Sequence, residues 1–467
     1  MVADLPLTLG DLRRAEYRVL PVKAELRRNL IHRLSTGEEL FPGILGYDDS
    51  VIPQIENAII GGQDLVLLGE RGQAKSRLIR ALTSLLDERI PAIAGCEIND
   101  SPYSPICRRC RDLVAESGDR TPIAWLGPEQ RYSEKLATPD TSIADLIGEV
   151  DPIRVAEGRY LSDELTIHYG LIPRTNRGIF AINELPDLAE RIQVGLLNII
   201  EERDVQIRGY RLRLPLDVYV VATANPEDYT NRGRIITPLK DRFGTQVRTH
   251  YPRTLDHEIA IAEQERTVFD DMPVPVHVPS YMKEIVAEIS HVARRHPQVN
   301  QRSGVSVRVS IANYENLVSN ALRRALRTGE REAVARVSDL SSLIPSTAGK
   351  IELETWEESD DDAVLEKLLK TACNTVFRRH FTAQEFSELV QRFERGGFTV
   401  EVSDQLPASA YTQALGELPG IDRARQKVDE PDTDASRVAV LEFILEGLHL
   451  GKRLNKTALD GSAVYGG

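Results

Sequence analysis

Between Asp64 and Leu78 the chain reads Asp-Leu-Val-Leu-Leu-Gly-Glu-Arg-Gly-Gln-Ala-Lys-Ser-Arg-Leu, and this stretch constrains the fold more than any other. The apolar run Leu65–Leu68 has the length of a short buried strand. Gly69 and Gly72 then allow a loop whose backbone can wrap with its N–H groups turned inward. Lys75 and Ser76 follow, and Leu78, Leu82, Leu85 and Leu86 fall on one face of an amphipathic helix. Strand, glycine loop and helix N-terminus in that order make an anion cradle, because inward amides and the positive end of the helix meet the same phosphate. In such a loop the Lys75 ammonium reaches the terminal phosphates and the Ser76 hydroxyl goes to Mg²⁺. The general pattern has a second glycine directly before the lysine; here that position is Ala74.

The surrounding sequence places this loop in an α/β layout. From Gly43 to about Pro252, short apolar runs alternate with helix-length segments. The runs are Leu65–Leu68, Ile90–Ile93, Ile179–Ile182 and Val218–Ala222, with a weaker one at Gln246–Arg248. Such runs, joined by helical crossovers such as Ser76–Glu88 and Asp187–Glu202, predict a parallel sheet sandwiched by helices. The predicted domains are an N-terminal helical segment (1–40), this nucleotide-binding core (41–253), a helical lid (254–345), and an acidic linker with a mostly helical C-terminal region (346–467). Glu352–Asp362 holds seven acids and no bases, which suits a solvated linker or exposed helix face. The Gly-rich end of the sequence is expected to fray.

Further polar residues stand where such a core needs them. Gly178–Asn183 is an apolar strand closing on Asn183-Glu184. An acid at that end of a strand can orient and activate the water that attacks a γ-phosphate, which is the role expected of Glu184. The position before it usually carries an Asp that helps hold Mg²⁺ through water; Asn183 can accept from that water but brings no charge, so weaker Mg²⁺ binding or slower turnover follows. Asn225 closes the strand from Val218 and is placed to touch the γ-phosphate or the attacking water. Arg242, in Asp241-Arg242-Phe243, suits an arginine finger that stabilises transition-state charge. Arg308, in Ser303-Gly-Val-Ser-Val-Arg308, opens a helix of the lid and could reach the same nucleotide.

Together these elements resemble the AAA+ superfamily, and within it the magnesium-chelatase ATPase subunit and the MoxR-like ATPases. The Gly-x-x-Gly-x-Ala-Lys-Ser loop looks like the MoxR form. The resemblance covers about residues 40 to 345 and implies an ATP-Mg²⁺ site. Its phosphate loop would be Gly69, Glu70, Arg71, Gly72, Gln73, Ala74, Lys75, Ser76 and Arg77, with Gly46 and Tyr47 in the segment abutting adenine. Ser76 and Asn183 would serve Mg²⁺, and Glu184, Asn225, Arg242 and Arg308 would be catalytic. Asn183 departs from the family pattern. The resemblance also implies an insertion (Ser142 through Gly170), a hairpin before the Asn225 strand (Asp204–Leu214), and assembly into a homo-oligomeric, hexameric ring. It further implies a separate partner bearing a von Willebrand factor A domain, since no Asp-x-Ser-x-Ser pattern occurs in the chain.

The remaining signals narrow the function classes. A net charge of −13 argues against nucleic acid as the main substrate. No apolar stretch is long enough for a membrane span, and a cytoplasmic location is expected. Cys96, Cys107 and Cys110, with Cys107-Arg-Arg-Cys110 as a zinc half-site, are candidate ligands for a structural Zn²⁺ that lacks an obvious fourth ligand; free thiols are the alternative. His257-Glu258-Ile-Ala-Ile261 begins like a zinc-protease helix, but Ile261 stands at the second ligand position. The function expected is an ATP-driven remodelling motor; a nucleotide-gated scaffold with little hydrolysis and the ATPase subunit of a true metal chelatase are the alternatives.

Overall fold

A computed structural model describes residues 5–151, 164–201, 204–205, 214–225, 233–269, 271–301, 303–354, 361–395, 398–459 and 461–467. The chain divides into two compact units, Met1–His250 and Tyr251–Gly467.

In the first unit the strands are β1 (Leu65–Leu68), β2 (Ile90–Ile93), β3 (Ile123–Leu126), β4 (Tyr132–Leu136), β5 (Gly178–Asn183), β6 (Val218–Ala224) and β7 (Thr245–Arg248). β7-β1-β6-β5-β4 is one parallel sheet, with Leu65 opposite Val221 on one side and Thr245 on the other. Residues of alternate parity enter different cores. Leu65, Leu67, Ile179, Ala181, Tyr219 and Val221 pack with Leu26, Ile55 and Leu78. Val66, Leu68, Phe180, Ile182, Val220 and Ala222 pack with Ile98, Ile192 and Leu196. Burial on both faces is why the inner strands read as unbroken apolar runs.

Two expectations about the sheet are corrected. Ile90–Ile93 is a strand, but it pairs antiparallel with β3 and stands outside the parallel sheet. Its place is taken by Tyr132-Ser-Glu-Lys-Leu136, an edge strand pairing with β5 alone; its half-exposed polar side chains hide it from a hydrophobicity reading. Of the expected insertion, Ser142 caps a short helix, Ile143–Leu146, and Gly148–Val150 pairs antiparallel with Ile167–Tyr169. Residues 152–163 lie outside the described residues. Of the expected hairpin only the paired ends Asp204–Val205 and Leu214–Pro215 are described; residues 206–213 lie outside the described residues.

The N-terminal segment is helical at Leu9–Arg14 and Val22–Thr36. A buried ion pair fastens the second helix to the sheet: Arg131 donates to both Glu25 carboxylate oxygens (2.7 and 2.6 Å) and to the Arg177 carbonyl (2.8 Å). The Asp87 N–H also donates to Glu25 at 2.6 Å. With every partner in place, the desolvation of both charges is offset.

The second unit is mostly helical, and one hydrophobic core draws residues from Ala262 to Tyr465. Its central helix, Asp434–Leu450, is buried continuously from Val438 to Leu448. Phe443 of that helix stacks on Tyr281 at 4.3 Å between ring centroids. Buried Glu442 accepts from the Tyr411 hydroxyl and the Ser338 N–H, both at 2.8 Å, and lies 3.2 Å from Arg336. Asp361 and Asp362, at the end of the acidic stretch, open the helix Asp361–His380, where its N-terminal dipole favours them. Residues 355–360 are not described.

The sequence end is not frayed as expected. Asn455–Leu459 (β9) and Ser462–Gly466 (β10) form a hairpin that also pairs with Val400–Val402 (β8). The hairpin is held by the Tyr465 hydroxyl and by Lys456 (2.6 Å), both on Glu446. Tyr465 is buried, so this Gly-rich segment carries part of the core.

Glu25→Ala is expected to destabilise the protein by about 3–5 kcal/mol, because it leaves Arg131 buried without its counter-charge. Urea denaturation monitored by far-UV circular dichroism checks this; a loss below 1 kcal/mol would show that the pair does not fasten the helix.

Candidate functional site

The candidate site is built at the C-terminal ends of β1, β6 and β5, the edge where open parallel sheets bind ligands. β1 ends at Leu68 and the loop leads into the helix Lys75–Ala81. Backbone conformation explains the loop's residue choices. Gly72 has φ +74° and Ala74 φ +54°, so Ala74 adopts the left-handed conformation for which glycine is suited. An L-residue there carries about 1–2 kcal/mol of local strain. A Cβ on Gly69 would fall 1.8 Å from Thr249 Oγ1 and 2.3 Å from Gln73 Oε1, so glycine is needed there for close approach. Gln73 in turn braces the turn, accepting from the Glu70 N–H (3.1 Å) and the Thr249 hydroxyl (2.7 Å).

Lys75 is buried, and its ammonium donates to the Glu70 carbonyl (2.8 Å), the Gly69 carbonyl and Asn225 Oδ1 (2.7 Å). This contact brings together two residues far apart in sequence, because Leu68 and Ala224 are opposite one another in register. Asn225 is engaged through its carbonyl oxygen; its NH₂ is the end that can donate to a phosphate oxygen. One strand further, the Glu184 N–H donates to the Thr223 hydroxyl at 3.0 Å. Glu184 has φ +55°, a conformation that costs a non-glycine residue about 1–3 kcal/mol and clusters at functional sites.

A further acidic residue escaped the sequence reading. Glu134, on the missed edge strand β4, accepts from the Asn183 amide and is paired with Arg80 (2.8 and 3.1 Å) and the Tyr132 hydroxyl (2.9 Å). Burial opposes its ionisation, but Arg80, Tyr132 and Asn183 outweigh that and hold its carboxyl below the usual range. A carboxylate therefore stands beside the neutral Asn183.

The remaining expected residues distribute as follows. Gly46 has φ +79° and positions Tyr47. The buried Tyr47 hydroxyl lies between the carbonyls of Gln73 (2.9 Å) and His250 (2.8 Å), tying the phosphate loop to the exit of β7; burial pushes its pKa up to about 12. Ser76 is half-buried in the first turn of its helix, and Arg71 and Arg77 are exposed. Arg242 ends the helix Thr237–Arg242 at the surface, on the Glu201 carboxylate and the Pro238 carbonyl (3.0 Å). Arg308 is the exposed first residue of the helix Arg308–Thr328, in the second unit. Cys96, Cys107 and Cys110 are brought together, and Asp100 joins them.

No family model matches the chain. Curated relatives do. The chain is 26% identical over 352 residues to magnesium-chelatase subunit ChlI of Synechocystis, covering 72% of this chain and 94% of that protein. It is 28% identical over 233 residues to the magnesium-chelatase 38 kDa subunit of Rhodobacter capsulatus, covering 49% of this chain and 60% of that one. Over 72% of its length the chain is thus similar in sequence to a magnesium-chelatase subunit. Among solved structures, this chain is similar to the BchI–BchD complex of magnesium chelatase (TM-score 0.32, 19% identity, 77% of this chain and 96% of that one). It is also similar to NtrX from Brucella abortus in complex with ADP (TM-score 0.37, 14% identity, 92% of this chain and 73% of that one).

Ala74→Gly is expected to keep the loop and raise stability by about 1 kcal/mol, by relieving the left-handed alanine. Thermal unfolding of the two proteins side by side checks this; a destabilisation of the same size would place Ala74 in an ordinary right-handed conformation.

Proposed function

We propose that this protein binds ATP with Mg²⁺, hydrolyses it, and uses the cycle to drive a mechanical change in a partner protein. The observation that carries the reading is the Lys75–Asn225 hydrogen bond, with Glu184 one strand away on Thr223. The loop from Gly69 to Ser76 holds the triphosphate, and Lys75 neutralises charge on its outer phosphates. Mg²⁺ supplies Lewis-acid stabilisation of the phosphate oxygens when bound. The donor set fits it: Ser76 offers a hydroxyl, and Asn183 can accept from a coordinated water, with the Glu134 carboxylate adding negative charge nearby. Glu184 orients the attacking water and takes its proton while Asn225 positions the terminal phosphate; the products are ADP and phosphate. The strain at Glu184 suits a residue held for such a task.

Arg242 sits on the surface of its own subunit, held by Glu201. In a ring, most simply a hexamer, exchanging Glu201 for a neighbour's γ-phosphate would complete the site in trans, so that turnover requires assembly. Arg308 would act from the helical lid, coupling lid position to phosphate state. The partner is a separate chain, in this reading one bearing a von Willebrand factor A domain. The ATPase subunit of a true metal chelatase is an alternative, supported by the magnesium-chelatase names of the relatives. A nucleotide-gated scaffold with little turnover is the second reading, favoured by the neutral Asn183 at a position that usually carries an acid.

Steady-state phosphate release distinguishes them. Wild type should turn over, Glu184→Gln should lose on the order of a hundredfold or more, and Arg242→Ala should keep ATP binding while losing about a thousandfold in rate. Equal, near-zero release by wild type and Glu184→Gln would leave the scaffold; full activity of Arg242→Ala would move the finger elsewhere, with Arg232 and Arg234 the next to test.

A further inference from the structure

The sequence offers Cys96, Cys107 and Cys110 as ligands with no obvious fourth, and the fold supplies one. The turn after β2 carries Cys96 and Asp100, and the helix Arg108–Ser117 begins directly after Cys107, with Cys110 in its first turn. One potential ligand atom from each of Cys96, Asp100, Cys107 and Cys110 lies within 4.8 Å of all the others. Around one zinc ion, sulfur ligands at about 2.3 Å in a tetrahedron stand about 3.8 Å apart, so the four need only draw in by less than about 1 Å.

Asp100 is the informative member. Its side chain is completely buried. One carboxylate oxygen, Oδ2, accepts from the N–H groups of Ile106 (3.2 Å) and Cys107 (3.0 Å). The other, Oδ1, is buried and has no hydrogen-bond partner among the described residues. A buried carboxylate oxygen left without a partner costs more than a neutral group would, and a bound cation removes that cost. The preceding residue, Asn99, has φ +54°. Its amide donates to the Arg174 carbonyl at 2.9 Å, which fixes the turn carrying Asp100.

The sulfurs are prepared for the same task. The Asp100 N–H donates to Cys96 Sγ and the Cys110 N–H to Cys107 Sγ, both at 3.4 Å. Cys107 caps the helix, so its sulfur sits at the positive end of the helix dipole, where the charge of a metal-bound sulfur is favourably placed. Arg109, in the same first turn, donates to the Gly95 carbonyl directly before Cys96, which ties the helix start to the loop carrying the other two ligands. The alternative, a Cys107–Cys110 disulfide, would leave the third thiol and the partnerless Asp100 oxygen without a purpose.

We propose that Cys96, Asp100, Cys107 and Cys110 bind a single zinc ion as a closed structural site. The loop it clasps supports the strand that delivers Glu184. Ile98 accepts from the Asn176 amide (3.0 Å), and the Arg177 guanidinium donates to the Asn99 carbonyl (3.4 Å) and the Pro91 carbonyl (2.7 Å), immediately before β5 begins at Gly178. The ion thus stabilises the base of a catalytic strand without touching nucleotide.

The test uses the full-length protein, expressed with zinc in the medium and purified under reducing conditions without chelator. Metal analysis should find about one zinc per chain. Exchange with Co²⁺ should give thiolate-to-cobalt charge-transfer absorption and the visible bands of a tetrahedral ion. Asp100→Asn should weaken zinc affinity by at least about tenfold, measured by competition with a chromogenic chelator. Asp100→Cys should retain full zinc loading and a tetrahedral cobalt spectrum. Should a variant fail to fold, wild type alone decides: substoichiometric zinc that is not raised by added Zn²⁺, with no cobalt charge-transfer band, overturns the proposal. So would iron at full occupancy in place of zinc, or a Cys107–Cys110 disulfide that persists in the zinc-loaded protein.

Discussion

The Lys75 ammonium is the fixed point of the first unit. It is buried, so its charge must be satisfied within reach, and it is satisfied by carbonyls of its own loop and by Asn225 from another strand. That geometry requires β1 and β6 to be neighbours in parallel register, which requires the helical crossovers between them. It also requires the tight turns at Gly69, Gly72 and Ala74. The outer tie through Tyr47, between the Gln73 and His250 carbonyls, extends the same constraint to β7. A single cation thereby links the strand order, the loop conformation and the placement of the candidate site.

What the sequence made legible follows from how each element is buried. β1, β5 and β6 are covered on both faces, so their apolar runs announce them. The residues closing those strands, Glu184 and Asn225, could be assigned to one sheet edge because strand ends are where side chains leave the core. β4 was illegible because an edge strand can afford Tyr, Ser, Glu and Lys, and with it went Glu134, whose importance depends on standing beside Asn183 across a strand pair. Ile90–Ile93 misled for the opposite reason: apolar composition marks a strand but not its partner, and this one pairs antiparallel with β3. The C-terminal hairpin was hidden by its glycines, although Tyr465 and its contact with Glu446 bind it to the core.

The cysteine cluster shows the same limit at shorter range. Cys107 and Cys110 are a recognisable pair, but Asp100 lies in a turn among Asn, Ser and Pro, where acids are common and uninformative. Its significance comes from complete burial and a carboxylate oxygen that the described chain leaves unbonded. In the second unit, by contrast, the buried acids Glu442 and Glu446 are engaged by Arg336 and Tyr411 and by Lys456 and Tyr465. Those acids organise a helical core; Asp100 differs in keeping one buried carboxylate oxygen without a hydrogen-bond partner among the described residues.

The central claim is that one triphosphate is gripped by the loop after β1 while groups from β6 and β5 meet its outer end. A high-resolution structure of the protein with Mg²⁺ and a non-hydrolysable ATP analogue tests it most directly. The account predicts the γ-phosphate within hydrogen-bonding distance of Lys75 Nζ and the Asn225 amide, with the Ser76 hydroxyl on Mg²⁺ and the Glu184 carboxylate facing the phosphorus. Nucleotide bound away from the 69–76 loop, with Lys75 still on Asn225 and Glu184 remote from it, would contradict the account.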